Sequence, residues 1–365
     1  MRNGVAWLPV SARILPDVAV SDGLNRGAPG GPPGPEAAAL VTADEIRAAA
    51  ERIDPVAVRT PMLQYPPLRP GDARSQPRLL VKPESLQPTG SFKIRGAYSA
   101  VSALGAEQRR HGVIAHSSGN HAQAVAYAAA IAGVPAVVVV PETAPAIKVD
   151  SARSLGAGIV TVEPTMAART AATAELAAEH GYTVIHPFED RRVIAGQGTI
   201  GLEIGTQCPD VDVVLVPVSG GGLISGVATA IKDAHPDAAV IGVEPELAAD
   251  ARESLRAGDR IAWPAALTGR TIADALRVEQ VGELTLAHMR AHVDGIVTVS
   301  EDEIRAAIRR IARDVRLIAE PGGAVTVAAY LFRLAELPAG RTYAAVLSGG
   351  NIAPDLFAEL MAAPG

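Results

Sequence analysis

Short runs of β-branched and other apolar residues alternate with alanine-rich stretches from Val41 almost to the end of the chain. The apolar runs have the length of buried strands, and the alanine-rich stretches repeat their apolar positions with the period of an α-helix. The predicted strands are residues 79–81, 112–115, 136–140, 159–162, 183–186, 213–218, 240–243 and 344–347. Thr42 and Glu45 form a capping box, which predicts the start of the first helix. The other predicted helices are residues 91–104, 121–132, 146–155, 167–180, 193–206, 223–234 and 301–318.

Short apolar strands separated by helices indicate α/β architecture, with mostly parallel sheets that carry helices on both faces. The 365 residues exceed the roughly 250–300 that a single core supports, so we predict two three-layer domains. Residues 39–110 and 189–365 are predicted to form the large domain, and residues 111–188 the small one. The Pro/Gly-rich stretch at residues 26–35 predicts that residues 1–38 form a flexible N-terminal extension.

Composition and charge narrow the classes of partner. The net charge of −6 with no basic tract, and an aromatic content of 3%, argue against nucleic acid and anionic membrane surfaces. No run of about 18 apolar residues exists, so no transmembrane helix is predicted. The single cysteine, Cys208, cannot form an intrachain disulfide, which favours a reducing cytoplasm. We therefore expect a cytoplasmic protein that acts on a small molecule.

The loops that follow strands hold the candidate chemistry, because ligands of such sheets bind at the carboxyl ends of the strands. The first loop contains Lys93, one of only four lysines among 33 Lys and Arg residues. An amine can lose its proton and form a Schiff base, whereas a guanidinium cannot. Neighbours Phe92 and Ile94 and a position at a helix start both favour the neutral amine. The alternative is an ordinary surface lysine whose stem covers apolar surface.

Two further loops lead into helices. Residues 117–121 offer backbone N–H groups and short hydroxyls at a helix start, which suits a substrate carboxylate or, equally, an ordinary N-cap. Residues 219–223 contain three consecutive glycines between a strand and a helix, which favours phosphate binding over a simple turn. The glycine pattern matches neither of the common nucleotide-binding loops, so a nucleotide is disfavoured.

Ser348 follows the last predicted strand and offers a neutral hydroxyl. If a pyridine nitrogen lies there, a hydroxyl partner leaves it largely unprotonated, whereas a carboxylate would keep it protonated. A neutral ring is a weaker electron sink, which favours β-elimination over reactions that need a long-lived carbanion. Taken alone, this loop fits another tight turn.

The four loops in this order resemble those of the fold-type II pyridoxal-phosphate enzymes, in particular the threonine/serine dehydratase and serine racemase group. The resemblance extends from about Ile46 to Ile352, and it is most specific at residues 91–97 and 117–121. Further similar segments are residues 141–148, 194–200 and 271–274. The resemblance implies a fold like that of the tryptophan synthase β-subunit, with pyridoxal 5'-phosphate between the two domains.

The same resemblance implies roles for individual residues. Lys93 would hold the cofactor as a Schiff base and act as base and acid, and Ser118 would be the second catalytic residue. The remaining cofactor contacts would be Phe92, Asn120, Ser219, Gly220, Gly221, Gly222, Leu223 and Ser348. The substrate carboxylate would be held by Ser117, Ser118, Gly119, Asn120 and His121.

Residues 243–250 resemble the divalent-cation site of the racemase branch. Glu244 and Asp250 would supply carboxylates and Ala248 a backbone carbonyl, and such oxygen ligands suit Mg²⁺, Mn²⁺ or Ca²⁺. Without the resemblance, two carboxylates six residues apart are more typical of a solvated loop.

The function that the resemblance implies is dehydration of a β-hydroxy-amino acid such as L-threonine or L-serine to a 2-oxo acid and ammonia, by a homodimer. Phe188 stands where racemases often have asparagine, and Ser219 replaces the first of four usual glycines. The alternatives are a racemase and a dehydratase for a bulkier substrate, such as 3-hydroxyaspartate, phenylserine or a hydroxyectoine-derived compound. A non-catalytic binding protein on the same scaffold is disfavoured by the intact lysine and glycine loops.

Overall fold

Two sheets contain the strands of the described residues. The computed structural model describes residues 40–67, 76–117, 119–144 and 146–363, without the side chains of residues 146–148. The predicted N-terminal extension and Ser118 lie outside these residues. The strands are β1 (Leu63–Gln64), β2 (Arg78–Pro83), β3 (Val113–His116), β4 (Ala136–Pro141), β5 (Gly158–Val162), β6 (Thr183–Val184), β7 (Val213–Pro217), β8 (Ala239–Pro245), β9 (Gly295–Val299) and β10 (Thr342–Leu347).

The larger sheet has the strand order β1-β2-β10-β7-β8-β9, and its strands are parallel except for the antiparallel pair of β1 with β2. The smaller sheet has the order β5-β4-β3-β6 and is parallel throughout. Every residue of β7 and β10 is buried, as expected for strands covered on both faces. The predicted α/β class with mostly parallel sheets is therefore confirmed.

The helices cover both sheets. None of those described is long and apolar enough to cross a membrane. They are α1 (Ala43–Ile53), α2 (Lys93–Ser102), α3 (Ala106–His111), α4 (Asn120–Ala132), α5 (Ala146–Ser154), α6 (Met166–His180), α7 (Arg191–Gln207), α8 (Gly222–Ala234), α9 (Asp250–Ala257), α10 (Ala265–Thr268), α11 (Glu283–His292), α12 (Glu301–Asp314), α13 (Pro321–Phe332) and α14 (Pro354–Ala362).

Helix boundaries follow the local signals with one clear exception. Thr42 caps α1 in a capping box, as predicted, and Ser300 caps α12 in the same way. The predicted extension of α12 to residue 318 is wrong, because the helix ends at Asp314. Arg316 takes a left-handed φ of 62°, a conformation that an α-helix cannot contain.

Helix α7 lies between α2 and α8 and touches both at glycines. A Cβ on Gly196 would come within 2.7 Å of the Cα of Gly96 in α2, and a Cβ on Gly226 in α8 would lie 2.3 Å from the carbonyl oxygen of Ile194. The helices therefore meet backbone to backbone, and any larger side chain would push them apart. Since α2 begins at Lys93 and α8 at the glycine loop, these two crossings set the spacing of the two predicted site segments.

Candidate active site

Lys93 is the first residue of α2, and it therefore lies in the first turn of the helix as predicted, although the predicted helix began at residue 91. Its Nζ donates a hydrogen bond to the carbonyl oxygen of Pro187 at 3.0 Å and lies 5.0 Å from the centre of the Phe92 ring. Burial of the amine lowers the pKa of Lys93 to about 8, although the negative charge of Glu320 acts in the opposite direction. The amine is therefore easier to deprotonate than that of an ordinary lysine.

Phe92 and Ser348, predicted from two distant loops, lie side by side. The backbone N–H of Phe92 donates to the carbonyl oxygen of Ser348 at 3.0 Å, and Ser91 forms an isolated bridge with Gly349. Ser348 is buried and directly follows β10. The lysine loop and the last predicted loop are thus joined by main-chain hydrogen bonds.

The glycine loop, residues 219–223, connects β7 to α8. Gly221 is the N-cap of α8, takes a left-handed φ of 92° and has no side chain to cap the helix. The Oγ of Ser219 is buried and has no hydrogen-bond partner among the residues that the structure describes. An uncapped helix start with an unsatisfied hydroxyl beside it suits a phosphate group, so these residues fit the cofactor's anionic end.

Phe188 connects the glycine loop to Lys93. A Cβ on Gly220 would lie 2.3 Å from the Phe188 ring, and one on Gly222 would lie 2.8 Å from the Phe188 Cα. The neighbouring residue, Pro187, supplies the carbonyl that Lys93 contacts. The amine and the proposed phosphate site are therefore neighbours of the same short turn.

His186 shapes that turn, and sequence reasoning assigned it no role. Its Nδ1 accepts hydrogen bonds from the backbone N–H groups of Phe188 (3.3 Å) and Glu189 (2.8 Å). Burial lowers the pKa of His186 to about 4, with His116 and Lys93 contributing in the same direction. A neutral imidazole is required because a protonated Nδ1 could not accept these bonds.

Asn120 makes two side-chain hydrogen bonds that orient its amide. Its Nδ2 donates to Oε1 of Glu320 at 2.7 Å, and its Oδ1 accepts from Nδ2 of Asn351 at 2.8 Å. Glu320 is buried beside the helix start at Pro321. Sequence reasoning missed Glu320; the available signal was a carboxylate directly before the proline and glycines that begin α13.

The predicted carboxylate loop precedes α4. The Oγ of Ser117 accepts the N–H of Gly119 at 3.1 Å, and a Cβ on Gly119 would meet no atom of the described residues within 4 Å. The loop therefore borders open space at the start of a 13-residue helix, whose first N–H groups have no intrahelical acceptor. Ser118 lies outside the described residues.

His121 is buried within α4 rather than exposed on the loop. Its Nε2 is 2.8 Å from the carbonyl oxygen of Ile185, so Nε2 carries a proton and donates it. Burial, and next the charge of Lys93, lower the pKa of His121 well below its usual range. The side chain is thus a neutral anchor between α4 and the end of β6, and the group it could offer an anion is its backbone N–H.

The predicted cation ligands lie at the end of β8 and the start of α9. Glu244 accepts the backbone N–H groups of Ala251 (3.1 Å) and Arg252 (2.8 Å), while Oδ2 of Asp250 is buried and has no partner in the described part of the chain. Burial raises the pKa of Asp250 to about 7, and burial followed by the Asp250 charge raises the pKa of Glu244 well above its usual range. Among the described residues no group of three metal-ligating side chains exists, so a third protein ligand would have to be a carbonyl, as predicted for Ala248.

Comparisons with known proteins agree with this geometry. The family described as pyridoxal-phosphate dependent enzyme matches residues 53–349. The chain is 45% identical to the L-threonine ammonia-lyase of Thermotoga maritima, over 75% of this chain and 67% of that protein. It is 38% identical to the L-threo-3-hydroxyaspartate ammonia-lyase of Saccharomyces cerevisiae, over 88% of this chain and 96% of that protein.

A solved structure gives the same result. Maize serine racemase superposes with a TM-score of 0.83 at 37% identity, covering 88% of this chain and 97% of that one. The predictions of family, fold, cofactor and lyase type are confirmed by these similarities. The chain belongs to the pyridoxal-phosphate-dependent enzymes of fold type II.

Proposed function

We propose that this enzyme removes water from a β-hydroxy-amino acid such as L-threonine or L-serine and releases a 2-oxo acid and ammonia, with Lys93 as the cofactor-bearing lysine. The observation that carries the proposal is the Lys93 amine, whose pKa burial lowers to about 8. It lies against the Pro187–Phe188 turn that also contacts the glycine loop. A nucleophilic amine next to an uncapped helix start is what the aldehyde and the phosphate of this cofactor require.

Individual residues would hold the cofactor as follows. The glycine loop and the Ser219 hydroxyl would bind the phosphate, Phe92 would lie beside the ring, and the buried Ser348 would face the ring nitrogen. The Asn120 amide, which Glu320 and Asn351 orient, would contact the ring hydroxyl. When bound, pyridoxal phosphate supplies a carbonyl that condenses with amines and a ring that takes up electron density from the substrate.

The chain's own task is orientation and proton transfer. Ser117 and the first N–H groups of α4 would hold the substrate carboxylate, which places the Cα–H bond relative to Lys93. The Nζ of Lys93 would take the α-proton, while the Cβ–O bond breaks and the hydroxyl leaves as water with a proton from the cofactor's phosphate or another nearby acid. The enamine product then hydrolyses to the 2-oxo acid and ammonia.

Borohydride reduction of the holoenzyme followed by peptide mapping tests the assignment of Lys93. The expected product is a reduced pyridoxyl group on Lys93 and on no other lysine. A label on Lys82, Lys148 or Lys232, or no label at all, would refute the proposal.

Two alternative reactions, racemisation and dehydration of a bulkier substrate, are each represented among the proteins that are similar to this chain. Racemisation would need a second acid/base on the opposite face of the substrate, for which Ser118 is the proposed residue, and maize serine racemase is 37% identical to this chain. Dehydration of a bulkier substrate is the reaction of the yeast L-threo-3-hydroxyaspartate ammonia-lyase, which is 38% identical to this chain. A panel of L- and D-hydroxy-amino acids that includes 3-hydroxyaspartate, assayed for 2-oxo acid release and for the enantiomeric purity of unreacted substrate, distinguishes the three reactions. Substrate that stays enantiomerically pure during turnover excludes the racemase.

We further propose that Glu244, Asp250 and the Ala248 carbonyl bind Mg²⁺, Mn²⁺ or Ca²⁺. Both carboxyl groups are buried, the Asp250 charge raises the pKa of Glu244, and Oδ2 of Asp250 has no partner among the described residues, so a cation of this kind would stabilise the pair. The melting temperature should rise with added cation and fall with chelator, and the double variant Glu244→Gln/Asp250→Asn should show neither effect. Unchanged melting of the unmodified enzyme under both conditions would contradict the site.

The domain, assembly and location assignments are also proposals. The strands of the smaller sheet lie within residues 113–184, which supports a small domain at residues 111–188. Cys208 is a buried free thiol, which is compatible with the cytoplasm. We propose a homodimer, and light scattering coupled to size-exclusion chromatography tests it; a monomeric mass would rule it out.

A further inference from the structure

Two consecutive carbonyl groups of the glycine loop accept hydrogen bonds from buried hydroxyls. The carbonyl oxygen of Gly220 accepts from Oγ1 of Thr285 at 2.7 Å, and that of Gly221 accepts from Oγ of Ser225 at 2.7 Å. Thr285 belongs to α11 and Ser225 to the first turn of α8, and both are fully buried. Hydroxyl groups on two helices therefore bind the carbonyl side of the glycine loop.

These bonds determine where the loop's N–H groups point. In a trans peptide, the carbonyl and the following N–H point in opposite directions. With the Gly220 carbonyl turned toward Thr285, the N–H of Gly221 faces away from α11. The Gly221 carbonyl accepts the backbone N–H of Ser225 at 3.0 Å as the first bond of α8, so the N–H of Gly222 points out of the helix start. Both N–H groups belong to the uncapped start of α8, where a phosphate would bind.

Thr285 has little freedom to move. A Cβ on Gly221 would lie 2.8 Å from the Cβ of Thr285, so the threonine side chain packs directly on the loop at its left-handed residue. Its Oγ1 also lies 3.2 Å from the carbonyl oxygen of Gly282, and the N–H of Gly282 points at the Gly220 carbonyl at 3.4 Å. The hydroxyl is therefore fixed at the point where it orients the loop.

Hydrogen bonds of His288, one turn after Thr285, also hold helix α11 in place. Nε2 of the fully buried His288 accepts the backbone N–H of Val41 at 3.0 Å. In the neutral ring the proton is then on Nδ1, which lies 3.2 Å from Oγ1 of Thr229 in α8 and donates to it. Because His288 ties α11 both to α8 and to Val41, the Thr285 hydroxyl keeps its place relative to the glycine loop.

We propose that Thr285 is a positioning residue for the cofactor's phosphate group: it acts through Gly220 and turns the loop's N–H groups toward the anion. The inference rests on the assignment of the glycine loop to phosphate made under the proposed function. It predicts an effect that depends on the phosphate and leaves the lysine–aldehyde reaction untouched.

The test compares two ligands of the apoenzyme, pyridoxal phosphate and pyridoxal, which lacks the phosphate. Thr285→Val keeps the shape of the side chain and removes the hydroxyl, whereas Thr285→Ser retains it. We expect the valine variant to bind pyridoxal phosphate about tenfold more weakly and pyridoxal with unchanged affinity, as measured by the absorbance of the bound ligand. The serine variant should restore most of the lost affinity.

Thr173→Val is the matched control, since it also removes a buried hydroxyl that donates to a backbone carbonyl, that of Arg169 in α6. It should change neither affinity. Equal losses for both ligands in Thr285→Val, or no loss, would overturn the inference. Ser219→Ala distinguishes failure of the Thr285 role from failure of the phosphate assignment. If Ser219→Ala alone loses affinity for pyridoxal phosphate, only the role of Thr285 is rejected. If neither variant loses affinity, the assignment of the glycine loop to phosphate is rejected as well.

Discussion

Two lysines of this chain are withdrawn from solvent, and their surroundings differ in hydrogen-bond acceptors and in charge. Lys93 donates a single hydrogen bond, to the Pro187 carbonyl, and otherwise faces the Phe92 ring. Lys82, in β2, is fully buried and its Nζ donates to three acceptors, the carbonyl oxygen of Thr60 (2.6 Å), Oε2 of Glu203 (2.5 Å) and Oε1 of Gln207 (2.9 Å). Three acceptors satisfy the three protons of an ammonium group, and one does not. Burial alone therefore does not make a lysine reactive; the number of acceptors around it decides.

Charge balance explains the same contrast. Lys82 and Arg95 are two buried cations, and Arg95 donates to both Glu84 and Glu203, so two carboxylates balance two positive charges. Burial lowers the pKa of Lys82, but the Glu203 carboxylate opposes that effect. At Lys93 the opposing charge, that of Glu320, leaves the pKa at about 8. One lysine is a structural cation and the other a candidate nucleophile.

The largest expected effect comes from Lys93→Ala. It should lower turnover by at least about 10⁴-fold, because both the imine-forming amine and the proton acceptor are lost. The visible absorbance of the bound cofactor should disappear, while the melting temperature of the apoenzyme should change little, since the loss of one hydrogen bond is offset by removal of a desolvated amine. A variant that keeps its visible absorbance would show that another lysine bears the cofactor.

Lys82→Met should produce the opposite pattern. Removing one cation leaves the buried network with an unbalanced negative charge, so the free energy of unfolding should fall by about 3 kcal/mol, while cofactor absorbance at low temperature is retained. Lys232→Met is the matched control, because Lys232 pairs with the partly exposed Asp294 and should cost less than about 1 kcal/mol. Urea unfolding measures both values. Equal losses in the two variants would remove the distinction between Lys82 and an ordinary surface ion pair.

The elements that sequence reasoning located and those it missed differ in the range of their interactions. Sequence reasoning located Lys93 at a helix start and the glycine loop after β7, because each is recognisable from the apolar pattern and short loop in its own neighbouring residues. Glu320 was missed because its partner Asn120 is 200 residues away, and no local pattern encodes that contact. Helix α13 was missed because all but its last two residues are buried, so its sequence has no polar face to give a period.

The pH dependence of cofactor binding sharpens the comparison of the two lysines. Imine formation requires the neutral amine, so the association rate of pyridoxal phosphate with the apoenzyme should rise with pH and level off above about 8. The folded pKa lies below the usual 10.5, so between these values the unfolded chain binds more protons and apoenzyme stability should increase with pH. Stopped-flow absorbance and urea unfolding measure the two trends, and the second should be weaker in Lys93→Ala, where the lowered pKa of Lys82 still contributes. A rate midpoint above about 10 would mean that Lys93 behaves as an exposed lysine.

The smallest expected effect is that of removing the Glu320 charge, which opposes deprotonation of Lys93. Glu320→Gln keeps an oxygen that can accept from Asn120 and removes the negative charge, so the pKa of Lys93 should fall further, by less than about one unit. The midpoint of the association rate should move to lower pH by the same amount. Glu246→Gln, which removes a partly exposed carboxylate paired with Arg333, should leave the midpoint in place. An upward shift in Glu320→Gln would mean that the carboxylate's effect on Lys93 is outweighed by a change in packing around the amine, and the contrast with Lys82 would then rest on hydrogen-bond acceptors rather than on charge.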